Sequence, residues 1–173
     1  GTLSVAISPG SGASVIDITP ARTPDDVAAV KTLLRGMAAH FRVHGWAEVA
    51  DDEFDAEVEG PQAQFAEPAG RLLLARRDGA AVGCLGLRPL SDGTVELRRM
   101  FVAPDARRSG VARALVLRMI DEARDAGHDA VRLVTVPAFA EAITLYESLG
   151  FVRVAPFRPS TAEDAVFMER RIR

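Results

Sequence analysis

The chain has 173 residues, which is the size of one ordinary globular domain. Hydrophobic residues make up 48% and charged residues 26% of the sequence, a balance that excludes a disordered chain, and no apolar run approaches the ~20 residues of a membrane span. The net charge of −3 argues against nucleic acid as a partner, because such proteins normally carry a basic excess.

The N-terminal part contains a helix start preceded by a strand. Residues 1–14 are small and aperiodic, and we expect a disordered tail or tag remnant there, with the folded domain over residues 15–173. Val15–Ile18 predicts the first strand. Thr23 and Pro24 predict a helix start, because a hydroxyl caps the first turn and proline fits the first helical position. Apolar residues at three- and four-residue spacing predict its buried face: Val27, Val30, Leu34, Met37 and Phe41.

Two strands in the middle of the chain are predicted to form a hairpin. Apolar runs at Arg71–Arg77 and Ala80–Leu87 are separated by an Asp-Gly pair, which is typical of a tight turn. Upstream, the acidic stretch Asp51–Glu59 predicts a short helix with a solvated face, attraction of a cationic amine being the alternative. The single cysteine, Cys84, falls in the second strand and cannot form an internal disulfide, so we expect inert packing and a cytoplasmic protein.

The strand predicted over Thr94–Val102 carries a local irregularity. By simple alternation Val95 and Leu97 share one face, whereas Met100 and Val102 fall on the other. A β-bulge would return all four residues to one face, and bulges often lie beside active sites. A strand buried on both faces would show the same pattern.

Helices and strands alternate through the rest of the chain. Ser109–Ala126 predicts a helix with one apolar face, and Gly127 ends it. Val131–Val136 predicts a β-branched strand, and a short helix closed by Gly150 precedes two further strands. The pattern as a whole predicts one α/β domain with a mixed sheet.

The segment between the irregular strand and the long helix suits a phosphate ligand. Backbone N–H groups at a helix N-terminus bind anions, and the small residues Gly110 and Ala112 would let a pyrophosphate approach the backbone. Neither G-x-x-x-x-G-K-[ST] nor G-x-G-x-x-G occurs. The candidate phosphate ligands are the amides of Arg107, Arg108, Ser109, Gly110, Val111 and Ala112.

Two motifs resemble those of the GNAT superfamily of N-acyltransferases. Val102–Pro104 followed by Arg107–Ala112 is similar to the acyl-CoA loop of that family, [RQ]-x-x-G-x-[GA] after V-x-P. Leu145–Phe151 matches the family helix that ends in L-Y-x-x-x-G-F. Both landmarks occur in the family's order and spacing, and a weaker similarity extends over the rest of residues 15–173.

The resemblance implies a fold and a cosubstrate. We expect a single α/β (α+β) GNAT-like domain, with a mixed, mostly antiparallel twisted sheet flanked by about four helices. The loop amides would hold the pyrophosphate of acetyl-CoA, and the backbone of Met100, Phe101 and Val102 would pair with its pantetheine arm as an added strand. The amide near the bulge would stabilise the oxyanion.

The resemblance also implies catalytic residues. Glu96 holds the position of the strand carboxylate that commonly serves as general base, often through water, and Tyr146 holds that of the tyrosine that protonates the leaving thiolate. The alternatives are a surface ion pair of Glu96 with Arg98 or Arg132, and plain core packing of Tyr146.

Two positions depart from the family pattern. Phe139 stands where many relatives place an asparagine that contacts CoA, which removes a polar contact. Arg108 replaces a frequent glycine, which is tolerable if its side chain points outward or meets the 3′-phosphate of CoA.

A histidine pair marks the end of the first helix. His40 and His44 are four residues apart, but no third ligand accompanies them, so a polar pair is favoured over a metal site and we expect no metal. In the family, the loop holding His44, Gly45 and Trp46 often walls the acceptor site; plain loop packing is the alternative.

The motifs together predict an N-acetyltransferase that moves an acetyl group from acetyl-CoA to a primary amine of a small molecule by direct transfer. The alternatives are a non-catalytic acyl-CoA-binding sensor or partner module, and an acetyltransferase of protein N-termini or lysines. Family analogy also suggests a homodimer.

Overall fold

The computed structural model describes residues 3–7, 14–44 and 54–173. The strands are β1 (Leu3–Ile7), β2 (Ser14–Pro20), β3 (Arg71–Arg77), β4 (Ala80–Pro89), β5 (Val95–Val102), β6 (Ala130–Thr135), β7 (Val152–Arg153) and β8 (Val166–Arg171). The helices are α1 (Pro24–Val43), α2 (Phe54–Glu59), α3 (Gln62–Phe65), α4 (Val111–Asp125) and α5 (Ala140–Ser148).

The strands form one sheet in the order β1-β2-β3-β4-β5-β6-β8-β7. Neighbouring strands run antiparallel except β5 and β6, which are parallel. The predicted single α/β domain with a mixed, mostly antiparallel sheet is therefore confirmed. No helix within the described ranges is long and apolar enough to cross a membrane.

The sheet is buried on both faces. On β3, Leu73 belongs to the apolar cluster that includes α4, whereas Leu72 and Leu74 belong to the cluster that includes α1. Successive side chains of a strand point to opposite faces, so a continuous apolar run is needed where helices cover both sides. This explains why the sequence of β3 shows no polar alternation.

Helix α1 begins at the predicted place and has a complete capping box. The Thr23 hydroxyl accepts a hydrogen bond from the Asp26 backbone N–H, and the Asp26 carboxylate accepts one from the Thr23 backbone N–H. The same carboxylate accepts from Arg76 Nη2 at 2.8 Å. Burial would raise the pKa of Asp26, but the hydrogen bonds from Arg76, Thr23 and Arg22 outweigh it and lower the pKa to about 2.

Replacing Asp26 by asparagine should therefore destabilise the protein in a pH-dependent way. The pKa of Asp26 is about 2 in the folded state and takes its ordinary value of 3.8 in the unfolded state. The stabilising effect of the carboxylate is therefore complete above about pH 4 and disappears as the pH falls through about 2. Urea unfolding of wild type and Asp26→Asn at pH 7 and pH 3 would measure this effect. The difference in the free energy of unfolding between the two proteins should be smaller at pH 3 than at pH 7. Asp25→Asn, which removes the exposed carboxylate beside it, is the control; a pH-independent difference for Asp26→Asn would contradict the prediction.

Residues 3–7 depart from the sequence-based expectation. They form a strand that pairs antiparallel with β2, in register from Leu3↔Ile18 to Ile7↔Ser14, rather than lying outside the fold. Leu3, Val5 and Ile7 alternate with small residues, and this five-residue signal was too short to stand out among Ser and Gly. The other residues of 1–13 lie outside the described ranges.

The predicted bulge in β5 is confirmed. Cys84 pairs with Phe101 and Gly86 with Arg98, so two steps along β4 match three along β5. The extra residue lies at Arg99, whose φ of 55° is in the left-handed region. As a result Val95, Leu97 and Val102 all belong to the apolar cluster that includes α4, and Met100 packs against it. The four residues therefore lie on one face of the sheet, as a bulge predicts.

Candidate functional site

The central opening of the molecule lies between β5 and β6. These strands pair only at Val95↔Val131 and Glu96↔Arg132, and past Glu96 no described strand continues the pairing on that side of β5. A pocket of about 1160 Å³ fills the gap between the diverging strands. An unpaired strand edge presents backbone donors and acceptors to any extended ligand that enters.

The N-terminus of α4 faces this pocket without a cap. Gly110 precedes the helix with a φ of 84°, and no described side chain caps it, in contrast to Thr23 on α1. The first N–H groups of a helix have no intrahelical acceptor and carry the positive end of the dipole. Because Gly110 adopts the left-handed conformation and has no side chain, the approach to these N–H groups is open, which suits an anion.

The polar side chains of this loop are directed elsewhere. Arg107 donates from Nε to the Val102 carbonyl at 3.1 Å. Arg108 points outward and pairs with Glu141 on the surface at 3.3 Å, the outward orientation that tolerates arginine in place of glycine. Ser109 donates to the Ala106 carbonyl. Arg107 and Arg108 still contribute to the pocket wall, so the loop offers guanidinium groups as well as backbone N–H groups.

The predicted cofactor-binding residues converge on the pocket, with Ser109 as the exception. Ser109 is absent from the pocket wall, and its hydroxyl turns back onto Ala106 in the 3₁₀ turn Pro104–Ala106. The residues that do line the pocket are Met100, Phe101, Val102, Arg107, Arg108, Gly110, Val111, Ala112 and Phe139.

Phe139 gives the pocket an apolar wall. It lies at the start of α5, and its ring stacks on that of Phe41 from α1, with centroids 5.6 Å apart and an angle of 18° between the planes. Both rings line the pocket. The departure from the family asparagine thus replaces a polar contact by an aromatic pair that joins two helices.

The two histidines form a polar pair at the end of α1, as favoured from the sequence. His44 Nδ1 lies 2.9 Å from the His40 carbonyl oxygen, and the ring centroids are 4.2 Å apart. His40 lines the pocket; burial lowers its pKa, and the nearby charges of Arg107 and His44 lower it further. Gly45 and Trp46, the other candidates for the acceptor wall, lie outside the described residues.

Tyr146 lies on α5 with its ring in the core and contributes to the pocket wall. The side chain is buried, and its ring packs against Phe151 with centroids 5.7 Å apart. No described residue is hydrogen-bonded to its hydroxyl. Burial raises the pKa of Tyr146, so the hydroxyl keeps its proton and is able to donate it.

Glu96 lines the pocket but is almost fully covered, at 1% exposure. Its Oε2 accepts from Arg88 Nη2 at 2.8 Å, and its Oε1 accepts from Arg158 Nε at 2.8 Å. Arg98 Nη1 is 3.6 Å from Oε1, so Glu96 does pair with Arg98, but the pair is buried rather than on the surface as considered from the sequence. Arg132 pairs instead with two other carboxylates.

Glu57 is a buried partner of the bulge that the sequence did not reveal. It lies on α2 and is 1% exposed. Its Oε1 accepts from Arg98 Nη2 at 3.0 Å, and its Oε2 accepts from Arg99 Nε. The available signal was its spacing beside Phe54 and Val58, which places all three on the buried face of one helical turn rather than on a solvated face.

The comparison with known proteins agrees with this geometry. The acetyltransferase (GNAT) family profile matches residues 35–151. The chain is 41% identical to an IAA acetyltransferase of Azospirillum brasilense over 108 residues, covering 61% of this chain and 71% of the relative.

Two solved structures share the fold. A GNAT-family acetyltransferase from Staphylococcus aureus superimposes with a TM-score of 0.75 at 18% identity, covering 91% of this chain and 99% of that one. An acetyltransferase from Salmonella typhimurium with its cofactor acetyl-CoA gives 0.69 at 23% identity, covering 91% and 94%. With the family profile spanning more than half of the sequence, the chain belongs to the GNAT family of acetyltransferases.

Proposed function

We propose that this acetyltransferase moves the acetyl group of acetyl-CoA to the primary amine of a small molecule by direct transfer. The observation that carries the proposal is the uncapped N-terminus of α4, which faces a pocket along the unpaired side of β5. Acetyl-CoA supplies an activated acetyl thioester when bound. The Salmonella structure with acetyl-CoA and the family membership support this donor.

The residues present fit such a donor. The N–H groups that begin α4 would hold its pyrophosphate, and Gly110 leaves room for the phosphate oxygens. The backbone of Met100–Val102 would pair with the pantetheine arm, because past Glu96 no described strand pairs with β5 on the side of β6. Phe139 would offer an apolar surface.

We assign the final proton to Tyr146 and the amine deprotonation to Glu96. Tyr146 lines the pocket and burial keeps its hydroxyl protonated, so it has a proton to give to a departing thiolate. Glu96 is covered by arginines, so we propose that it receives the ammonium proton through a water molecule rather than by direct contact.

Replacing Glu96 by glutamine should separate this role from a purely structural ion pair. A general base that acts through water predicts at least a tenfold lower kcat with the KM for acetyl-CoA little changed. We expect acetyl-CoA affinity to change little, because Glu96 is near the start of β5 and the loop proposed to bind the phosphates follows the other end of the strand. Glu169→Gln, which removes a carboxylate that pairs with Arg132 away from the pocket, is the control. A lower free energy of unfolding together with a wild-type kcat would assign Glu96 to structure only.

The proposed activity is tested by two measurements on the purified protein. Calorimetry with acetyl-CoA should show binding, and a thiol-release assay with a panel of small primary amines should show turnover. Tight binding without thiol release from any small amine or peptide would indicate a sensor module. Release only with peptides that present an N-terminus or a lysine would replace the small-molecule acceptor.

A further inference from the structure

The end of the pocket beyond the bulge is walled by a segment that carries hydrogen-bond donors. Arg158, Ser160 and Thr161 follow β7 and all line the pocket. The Ser160 hydroxyl oxygen accepts from the Ala162 backbone N–H at 3.2 Å, so its own proton is available to another acceptor. This wall, which we name the 158–161 wall, combines a guanidinium with two hydroxyls.

The 158–161 wall is fixed in place by its neighbours. Phe157 packs edge-on against Phe167 of β8 with ring centroids 5.3 Å apart. The Arg158 guanidinium is held from two sides, by Glu96 Oε1 at 2.7 Å from Nη2 and by the Pro159 carbonyl at 2.9 Å from Nη1. Its side chain nevertheless keeps 26% exposure, whereas Glu96 keeps 1%. The guanidinium, not the carboxylate, is therefore the charge presented to the pocket.

Coenzyme phosphates do not account for this charge. Arg158 contacts Glu96 at one end of β5, and the phosphate loop follows Val102 at the other. Val102 follows Glu96 by six positions, one of which is taken up by the bulge, so the two residues are roughly 17 Å apart at about 3.3 Å per extended residue. A ligand anchored at α4 thus has its phosphates at the opposite end of the pocket.

Glu96 is too heavily shared to neutralise the wall. The same carboxylate is in ion pairs with Arg88, Arg98 and Arg158. Arg98 also pairs with Glu57, as does Arg99, so four guanidinium groups share two carboxylates. This leaves an excess of positive charge, and Arg158 is the most exposed of the four. A guanidinium has five N–H donors in a planar fork, so it can pair with Glu96 and with a second oxyanion together.

We propose that the acceptor is an amine that also carries an anionic oxyacid group, a carboxylate or a phosphate, and that Arg158 binds this group. The proposal rests on the acetyl transfer proposed above. The hydroxyls of Ser160 and Thr161 complete the subsite, and the oxyanion holds the amine at the acyl end of the pocket.

Matched acceptor pairs test the proposal with the wild-type protein alone. We expect kcat/KM to be at least tenfold higher for alanine than for alaninamide, for β-alanine than for its amide, or for O-phosphoethanolamine than for ethanolamine; the pair that responds distinguishes carboxylate from phosphate. Equal or faster turnover of the neutral partners would overturn the proposal while leaving the transferase activity intact.

Variants of Arg158 then test whether this residue causes the preference for anionic over neutral amines. Arg158→Gln should raise KM for the preferred anionic amine at least tenfold more than it raises KM for the neutral counterpart, and Arg158→Lys should restore part of the affinity. Arg153→Gln is the matched control, because that arginine is 64% exposed and absent from the pocket wall. An equal loss for anionic and neutral amines would assign Arg158 to structure and overturn the proposal.

A binding measurement keeps the inference separate from catalysis. If no amine is turned over, calorimetric titration of N-acetylalanine and N-acetylalaninamide into the CoA-loaded protein compares the affinity of the subsite for a carboxylate and for a neutral amide. A preference for the carboxylate that Arg158→Gln removes would retain the subsite while the transfer proposal fails, and the absence of a preference would overturn the subsite too.

Discussion

Replacing Glu57 by glutamine should lower the free energy of unfolding by about 3–5 kcal/mol, the cost of removing one partner from a buried ion pair. The Glu57 carboxylate is 1% exposed and binds the guanidinium groups of Arg98 and Arg99. Their side chains are only 5% and 10% exposed, so the variant leaves two charges with little access to water. The loss should appear as a lower urea midpoint at unchanged slope.

Glu59→Gln is the matched control for this experiment. Glu59 belongs to the same short helix, but its side chain is 73% exposed and lies 3.6 Å from an exposed arginine, Arg35. Exposed pairs contribute at most about 1 kcal/mol because water screens them. A Glu57→Gln midpoint as close to wild type as that of the control would show that the bulge does not depend on this carboxylate.

The position of Glu57 also connects stability to the site. Arg99 adopts a φ of 55° at the bulge, a conformation that arginine rarely takes without support. Glu57 on α2 accepts hydrogen bonds from Arg98 and Arg99, which are 41 and 42 residues away in the sequence. The bulge decides which β5 groups face the pocket, so a distant helix helps to set the geometry of the site.

Local signals explain what could be predicted from the sequence. Strand β3 occupies Arg71–Arg77 as predicted, because an apolar run and an Asp-Gly turn define both of its ends. The bulge was one of two explanations that the altered parity of β5 allowed, the other being burial of the strand on both faces. The start of α4 was predictable because Gly110 and Ala112 stand at the small-residue positions of a family motif, where small side chains leave the backbone open to a ligand.

The interactions that could not be predicted join residues far apart in the sequence. Arg158 reaches Glu96 across 62 residues, and no periodicity links a loop residue to a strand. Glu57 was hidden within an acidic run whose members look alike until the fold buries one of them. Strand β1 is a third case, since a five-residue strand is specified by its partner as much as by its own residues.

Tyr146→Phe should lower kcat by about 10²–10⁴-fold while leaving the affinity for acetyl-CoA close to wild type, because general acid catalysis typically contributes that much. The substitution keeps the ring that packs on Phe151 and removes only a hydroxyl without a described hydrogen-bond partner. We therefore expect unfolding free energies within about 1 kcal/mol of wild type. Thr144→Val, which removes an exposed hydroxyl from the same helix, is the control.

The role of Tyr146 can also be followed spectroscopically, since it is the only tyrosine in the chain. Absorbance titration of tyrosinate should show a pKa raised above the ordinary value of 10.0 because the side chain is buried. A raised pKa together with a slow Tyr146→Phe variant would fit a proton donor whose hydroxyl keeps its proton until the thiolate forms. If the pKa is raised but the variant turns over at the wild-type rate, the ring serves the core alone and another group must protonate the thiolate.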